Sequence, residues 1–243
     1  MDEPVTEYRQ SRFTLPPGAC EIVLVRHGES APLRPDRPFD LVDGHGDPEL
    51  SAPGRWQAER VGERLASERV DAVYVTTLRR TVETAQPLLD RLGLEPRVEP
   101  DLREVHLGEW EGGLLRQKVA EGDPIAARIL TEQRWDVIPG AEPQDRFRAR
   151  VVAGLERIAS GHPDGRVVAV SHGGVIGMAL HIATGCEPFA MVAADNGSIH
   201  HLVVAPDRWV LRRYNDTGHL DGHEPPPHEP PSHRPQPHGP PPD

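Results

Sequence analysis

Cysteine is nearly absent: among 243 residues only Cys20 and Cys186 carry thiols. With no CxxC pair and no Cys/His ligand spacing, neither a disulfide framework nor a structural zinc site is supported. Long apolar runs are missing too, and the opening "MDEPVTEYRQSRF" has no basic or apolar stretch of the kind an export signal needs. A cytoplasmic, unexported protein is expected. Positive charge is in deficit: 27 Lys and Arg face 38 Asp and Glu, a formal charge of −11. Nucleic acid and anionic membrane need a basic face, so neither is an expected partner, whereas a local arginine cluster still accommodates a small anion.

What the chain does contain is an alternation of short β-branched runs with amphipathic stretches, enough for one domain built on a sheet. Its expected limits are residues 19–217. A flexible segment, 1–18, precedes it, and a Pro/His-rich tail, 218–243, follows; the tail has no aliphatic residue after Leu220 and is expected to be disordered and polyproline-like. Its irregularly spaced histidines predict only adventitious metal binding.

Within the domain, the apolar runs at 22–25, 72–75 and 167–170 predict parallel strands buried on both faces. The runs at 199–204 and 209–214 flank "APD" and predict an antiparallel hairpin at the sheet edge. Helices are expected over 55–69, over 78–92 with a kink or restart at Pro87, over 145–160 and over 175–184. Residues 114–143 read as helical pieces and loops that cover one end of the sheet as a lid. The fold class is therefore a three-layer α/β/α sandwich with a mostly parallel central sheet, an antiparallel edge hairpin and a helical lid insertion. The hairpin edge offers a route to a homodimer.

Chemistry gathers at the strand ends. "VLVRHGE" delivers Arg26 and His27 and then breaks at Gly28, and "VAVSHGG" delivers Ser171 and His172 and then Gly173. In parallel α/β sheets the carboxyl end of the strands is where ligand crevices form, so two such strands can set two imidazoles side by side. Glycine after each His permits a sharp turn and a close approach of ligand. "VYVTTLRRTVETA" puts Thr76, Arg79 and Arg80 at a strand-to-helix junction, a ready anion site. "DLREVHLGEWEGG" offers Glu104, Glu109 and Glu111 as carboxyl groups able to protonate a leaving oxygen. Alone, each of these residues also reads as a structural or solvated group. His106, His200 and His201 are expected to pack, to sit at a rim or to face solvent.

Taken together, "VRHGES", "LSAPGRWQAERV", "TLRRTVETA", "LREVHLGEWEG", "PGAEPQDRFRARV", "VSHGGVI" and "NGSI", in that order, resemble the histidine phosphatase superfamily in its phosphoglycerate mutase-like branch 1. The resemblance spans residues 21–214. It implies that His27 takes the phosphoryl group as a phosphohistidine, that Arg26 and Arg80 clamp its oxygens, that His172 is the second imidazole contacting it and that Glu104 moves the proton. Ser30, Gly173 and His45 are further candidates for substrate binding, His45 as a structural or rim group nearer to a substrate contact than to catalysis. The resemblance implies no cofactor and no metal, because the arginines supply the charge stabilisation.

The implied activity is hydrolysis of small phosphorylated metabolites. A mutase is the rival within the enzymes, with Arg116, Lys118, Arg128 and Arg134 as the basic residues that would favour it. A phosphatase-derived regulatory protein is the third reading, its "EPPPHEPP" segment docking a partner. One departure stands out: many relatives place a phosphate-contacting Asn where this chain has Leu33. Ser30 or a group in "VDGHGDPELS" is the expected substitute.

Overall fold

The computed structural model describes residues 8–222 and 225–227. Chain order runs β1 (Cys20–Arg26), β2 (Leu41–Val42), β3 (His45–Gly46), α1 (Ala52–Ala66), β4 (Ala72–Val75), α2 (Arg79–Leu92) and β5 (Pro96–Val98). It continues with α3 (Leu114–Ala120), α4 (Pro124–Glu132), α5 (Gln144–Gly161), β6 (Arg166–Ser171), α6 (Gly173–Thr184), β7 (Ile199–Val204) and β8 (Trp209–Asp216).

The central sheet has the order β5-β4-β6-β1-β7-β8 among the described residues. Its first four strands are parallel, while β7 runs antiparallel to β1 and β8 antiparallel to β7, which puts the hairpin at the edge. Alternate residues of β1 face opposite layers. Ile22 and Leu24 pack with Phe147, Leu155, Ile176 and Leu180 of α5 and α6, and Val23 and Val25 pack with Val61, Leu65 and Leu88 of α1 and α2. The architecture is the expected α/β/α sandwich. Both layers are needed because a parallel sheet buried on two faces has no polar side to show water.

Several boundaries differ from those read off the periodicity. Helix α1 starts at Ala52 rather than Arg55, because Ser51 Oγ caps it by accepting from Gly54 N–H at 3.1 Å and Pro53 fits the first turn. Helix α2 is one α-helix from Arg79 to Leu92, with neither restart nor break at Pro87. Burial of Ala85, Leu88 and Leu89 against the sheet outweighs the backbone bond that a proline cannot make. Helix α6 begins two residues early, at Gly173, and ends as expected at Gly185 with a left-handed φ of 69°. The short edge strand β5 and the two-residue ladder β2–β3 are too short to carry a periodic signal and add to the expected elements.

The insertion after "GEWEGG" holds α3 and α4 around a separate apolar cluster of Trp110, Ile129 and Ile138. The tail beyond residue 227 lies outside the described residues, as do 1–7. The turn after β8 folds back: His219 Nε2 donates to the Gly197 carbonyl at 3.1 Å. At the other end Leu15 packs beside Ala19 and Val203. No helix of the described residues is long and apolar enough to cross a membrane.

Candidate active site

Strand register sets the site. Pairing of β1 with β6 places Arg26 opposite Ser171, so the next residue on each strand, His27 and His172, leaves the sheet at the same level. The His27 N–H continues the ladder to the Ser171 carbonyl at 3.0 Å. The two rings stand edge to face with centroids 5.3 Å apart.

His27 is buried, and its Nδ1 lies 2.7 Å from the Gly28 carbonyl. A carbonyl only accepts, so that bond fixes the proton on Nδ1 and leaves the Nε2 lone pair free. Burial first, then the charges of Arg80 and Arg26 and more weakly Arg116, hold its pKa well below the ordinary histidine value. The ring is thus neutral and nucleophilic at Nε2. Its backbone is held as well: Asn196 Nδ2 donates to the His27 carbonyl at 2.8 Å, and Gly28 N–H donates to Thr84 Oγ1 at 3.0 Å.

Gly28 also has a packing role. A Cβ there would lie 2.4 Å from the Gly54 carbonyl oxygen, and a Cβ on Gly54 would lie 1.9 Å from that of Glu29. The cleared space is filled by the first turn of α1, which braces the His27 loop from behind.

Three guanidinium groups converge on this point. Arg26 donates from Nη1 to the Ala194 carbonyl and keeps a buried Nε with no partner. Arg80 donates from Nη1 to the Gly46 carbonyl at 2.8 Å and stands 4.0 Å from Asp47. Arg116, from α3, donates from Nη2 to Ser30 Oγ at 2.6 Å and from Nη1 to the Ala31 carbonyl at 2.8 Å. Burial lowers the pKa of all three below the usual arginine value. In the sequence Arg116 stands only as one of several basic residues of the insertion. No local pattern marks it, because its partner Ser30 lies 86 residues away.

Leu33 lies beside Ser30 and Arg116 and is only partly buried. Its Cδ1 would be 2.8 Å from a Cβ on Gly113, so it packs under the start of the helix that carries Arg116. Arg79, by contrast, points outward to Glu49 and Glu83.

His172 is fully buried, with Nε2 3.2 Å from Thr76 Oγ1 and Nδ1 without a partner. Burial and then Arg80 hold its pKa well below the ordinary value. Glu104 accepts from its neighbour Val105 N–H at 2.9 Å and from Gly174 N–H in the first turn of α6 at 3.1 Å. Its loop is pinned by Arg150, which donates to the carbonyls of Asp101, Arg103 and Glu104 and pairs with Glu142. Glu111 is committed elsewhere, accepting from Gly46 and Leu107 N–H.

His45 is buried on β3, with Nδ1 donating to the Asp43 carbonyl at 3.2 Å and Nε2 unpartnered. It stacks edge to face with His106, and burial lowers its pKa. Gly173 lies against Arg26, whose Nε would be 3.5 Å from a Cβ there. The structure thus brings Arg26, His27, Arg80, Glu104 and His172 to one end of the sheet and adds Arg116. His200 and His201 lie away from it: His200 bonds Ser198 and Asn215, and His201 pairs with Glu21.

The family profile of the histidine phosphatase superfamily (branch 1) matches residues 22–217. The chain is 36% identical over 207 residues to phosphoglycerate mutase-like protein 4 of Arabidopsis thaliana, covering 83% of this chain and 87% of that protein. It is 33% identical over 205 residues to a metal-independent phosphoserine phosphatase of the same plant, covering 82% and 83%. Among solved structures, a mycobacterial glucosyl-3-phosphoglycerate phosphatase superposes with a TM-score of 0.65 at 29% identity, covering 82% of this chain and all of that one.

Proposed function

Because the chain belongs to the histidine phosphatase superfamily, branch 1, we propose that it hydrolyses small phosphomonoesters in two steps through a phosphohistidine on His27. The observation that carries this reading is the His27 ring, neutral and buried, with Nδ1 spent on the Gly28 carbonyl and Nε2 left bare among guanidiniums. In the first step Nε2 attacks phosphorus while Arg26, Arg80 and Arg116 spread the charge of the phosphoryl oxygens and His172 contacts one of them. Glu104 protonates the departing alkoxide. In the second step Glu104 takes a proton from water, which attacks the phosphohistidine and frees the ring.

The chain's own cations supply the electrostatic stabilisation, so the reaction is expected to run without a metal. A relative named as metal-independent supports that expectation. The relatives named for phosphoserine and glucosyl-3-phosphoglycerate both point to small phosphorylated metabolites. A cytoplasmic setting belongs to the same reading, supported by the two unpaired cysteines.

Hydrolysis is favoured over mutase chemistry by the insertion. Of its basic residues, Lys118 pairs with Asp123, Arg128 with Glu132 and Arg134 with Asp136. Arg116 alone among these four reaches the site. A bisphosphate awaiting return to the enzyme would need more charge than that.

The test is turnover of an aryl phosphate, followed by a screen of phosphorylated metabolites with and without EDTA. Hydrolysis unaffected by EDTA, a radiolabelled phosphoenzyme trapped by rapid quenching and loss of both in a folded His27→Ala variant are expected. No turnover by the parent, together with partner binding through the proline-rich tail, would replace this reading with the regulatory one.

A further inference from the structure

Thr76 and Thr81 stand outside the phosphoryl cradle, yet they hold the back of His172. From its Nε2 the contacts run 3.2 Å to Thr76 Oγ1, 3.0 Å on to Thr81 Oγ1 and 2.8 Å on to the Leu78 carbonyl. The three side chains are fully or almost fully buried, so no water completes the chain. Two backbone donors enter it: Leu78 N–H to Thr76 Oγ1 and Thr76 N–H to Thr81 Oγ1.

Three proton arrangements can be drawn. In one, Nε2–H donates to Thr76, Thr76 to Thr81 and Thr81 to the carbonyl, three bonds aligned head to tail. Each hydroxyl oxygen then accepts two bonds and donates one, which fills its capacity. In a second, Thr81 donates to Thr76 and Thr76 to an unprotonated Nε2, which is one bond fewer and strips the carbonyl of its hydroxyl partner. In a third, Thr76 donates to an unprotonated Nε2 while Thr81 keeps the carbonyl, which also is one bond fewer and leaves two hydroxyl oxygens 3.0 Å apart with no proton between them. The first wins because the chain ends on a group that can only accept, and because aligned bonds reinforce one another.

We propose that the Thr76–Thr81 hydroxyl pair fixes His172 in the Nε2–H tautomer, so that its free Nδ1 presents a lone pair to the phosphoryl group and the contact forms only with uptake of one proton. This rests on the phosphatase reading of the site. The proton comes from solvent when the ligand is a dianion, or with the ligand when it is a monoanion. It ends on Nδ1, donating to a phosphoryl oxygen, or on that oxygen, donating to Nδ1. No heavy-atom bond changes. Thr76 is a positioning residue that acts through His172.

The surroundings explain why the proton is not there beforehand. Arg80, His27, His45 and Arg150 act on His172 electrostatically, every one a cation or able to become one. Arg26 lies against Gly173, and the Glu104 carboxylate is bound at Gly174. Arrival of a phosphoryl dianion reverses that balance.

Histidine nitrogens of the full chain, labelled with ¹⁵N, report the tautomer directly through long-range ¹H–¹⁵N correlations. The His172 signals are identified by their loss in His172→Gln. In the free protein Nε2 is expected protonated and Nδ1 bare; saturation with inorganic phosphate should protonate Nδ1 or place it in a hydrogen bond to a P–OH. A protonated Nδ1 in the free protein would overturn the proposal.

Affinity for phosphate supplies the second readout, measured in a Glu104→Gln background to remove the carboxyl proton. It should fall about tenfold per pH unit between about pH 8 and about pH 9, where the ligand is a dianion. Thr76→Val should flatten that slope and Thr76→Ser restore it. A flat parent profile contradicts the proposal. If phosphate fails to bind at all, the phosphatase reading falls, while the free-protein spectrum still decides the tautomer.

Discussion

Arg116 Nη2 donates to Ser30 Oγ at 2.6 Å, joining the insertion helix to the loop that follows His27. Where relatives carry an Asn, this chain has Leu33, which packs against the backbone at Gly113 and seats that helix. On the phosphatase reading, the polar contact that an Asn would make there is offset by a cation brought in from another part of the chain. Replacing Arg116 by Ala is expected to raise KM for a phosphomonoester and to lower kcat/KM about 10- to 100-fold, the worth of one charged hydrogen bond. Arg116→Lys should recover little, since one ammonium cannot hold Ser30 Oγ and the Ala31 carbonyl together. Steady-state kinetics on both variants checks this.

In the proposed mechanism Glu104 donates its proton to the leaving oxygen, so its worth there depends on how much the leaving group needs one. For Glu104→Gln, turnover of an alkyl phosphate should fall by about 10²- to 10⁴-fold. Turnover of a nitrophenyl phosphate, whose phenolate leaves unaided, should fall much less. Equal losses on both substrates would remove Glu104 from the proton-transfer role.

His200 makes stability depend on pH. Asn215 N–H donates to its Nδ1 at 3.1 Å, so Nε2 carries the proton and donates to Ser198 Oγ at 2.9 Å. Burial, then the charge of Arg26, pushes its pKa down to about 4. The unfolded chain titrates near pH 6.5, so below that the unfolded state binds more protons and stability is lost until the folded pKa is passed. At pH 5 the loss from His200 should be about 2 kcal/mol, with His27 and His172 adding to it in the same direction. Thermal unfolding from pH 7 to pH 5 should show a falling Tm. His200→Gln should have a smaller fall.

Gly54 and Gly28 bring α1 against the His27 loop at backbone distance. Gly54→Ala is expected to cost about 1–3 kcal/mol through overpacking. It should lower kcat as well, because the displaced segment, residues 28–29, follows directly on His27, the proposed nucleophile. Calorimetry and kinetics on the same variant would show both effects; a lowered Tm with unchanged kcat would confine the brace to stability.

Much of this was legible in the sequence for physical reasons. Buried parallel strands must be continuous apolar runs, so β1, β4 and β6 announced themselves, and a polar pair at the end of such a run marks the place where a ligand meets the sheet. "VRHGE" and "VSHGG" therefore disclosed the two histidines, and the ordered motifs singled out Arg80 and Glu104. Helix starts were less legible where a cap or a proline decided them, as at Ser51 and Pro53. The continuity of α2 through Pro87 came from packing that no local preference contains.

Local pattern could not disclose contacts between residues far apart in the chain. The β1–β6 register put His27 beside His172, and the insertion carried Arg116 to Ser30. The Thr76–Thr81 pair reached His172 across 96 positions. A sequence fixes which groups exist and which segments can be strands or helices, because those depend on neighbours three or four residues away. Which proton sits on which nitrogen depends on a buried acceptor at the end of a hydrogen-bonded chain, and only the folded structure sets that acceptor in place.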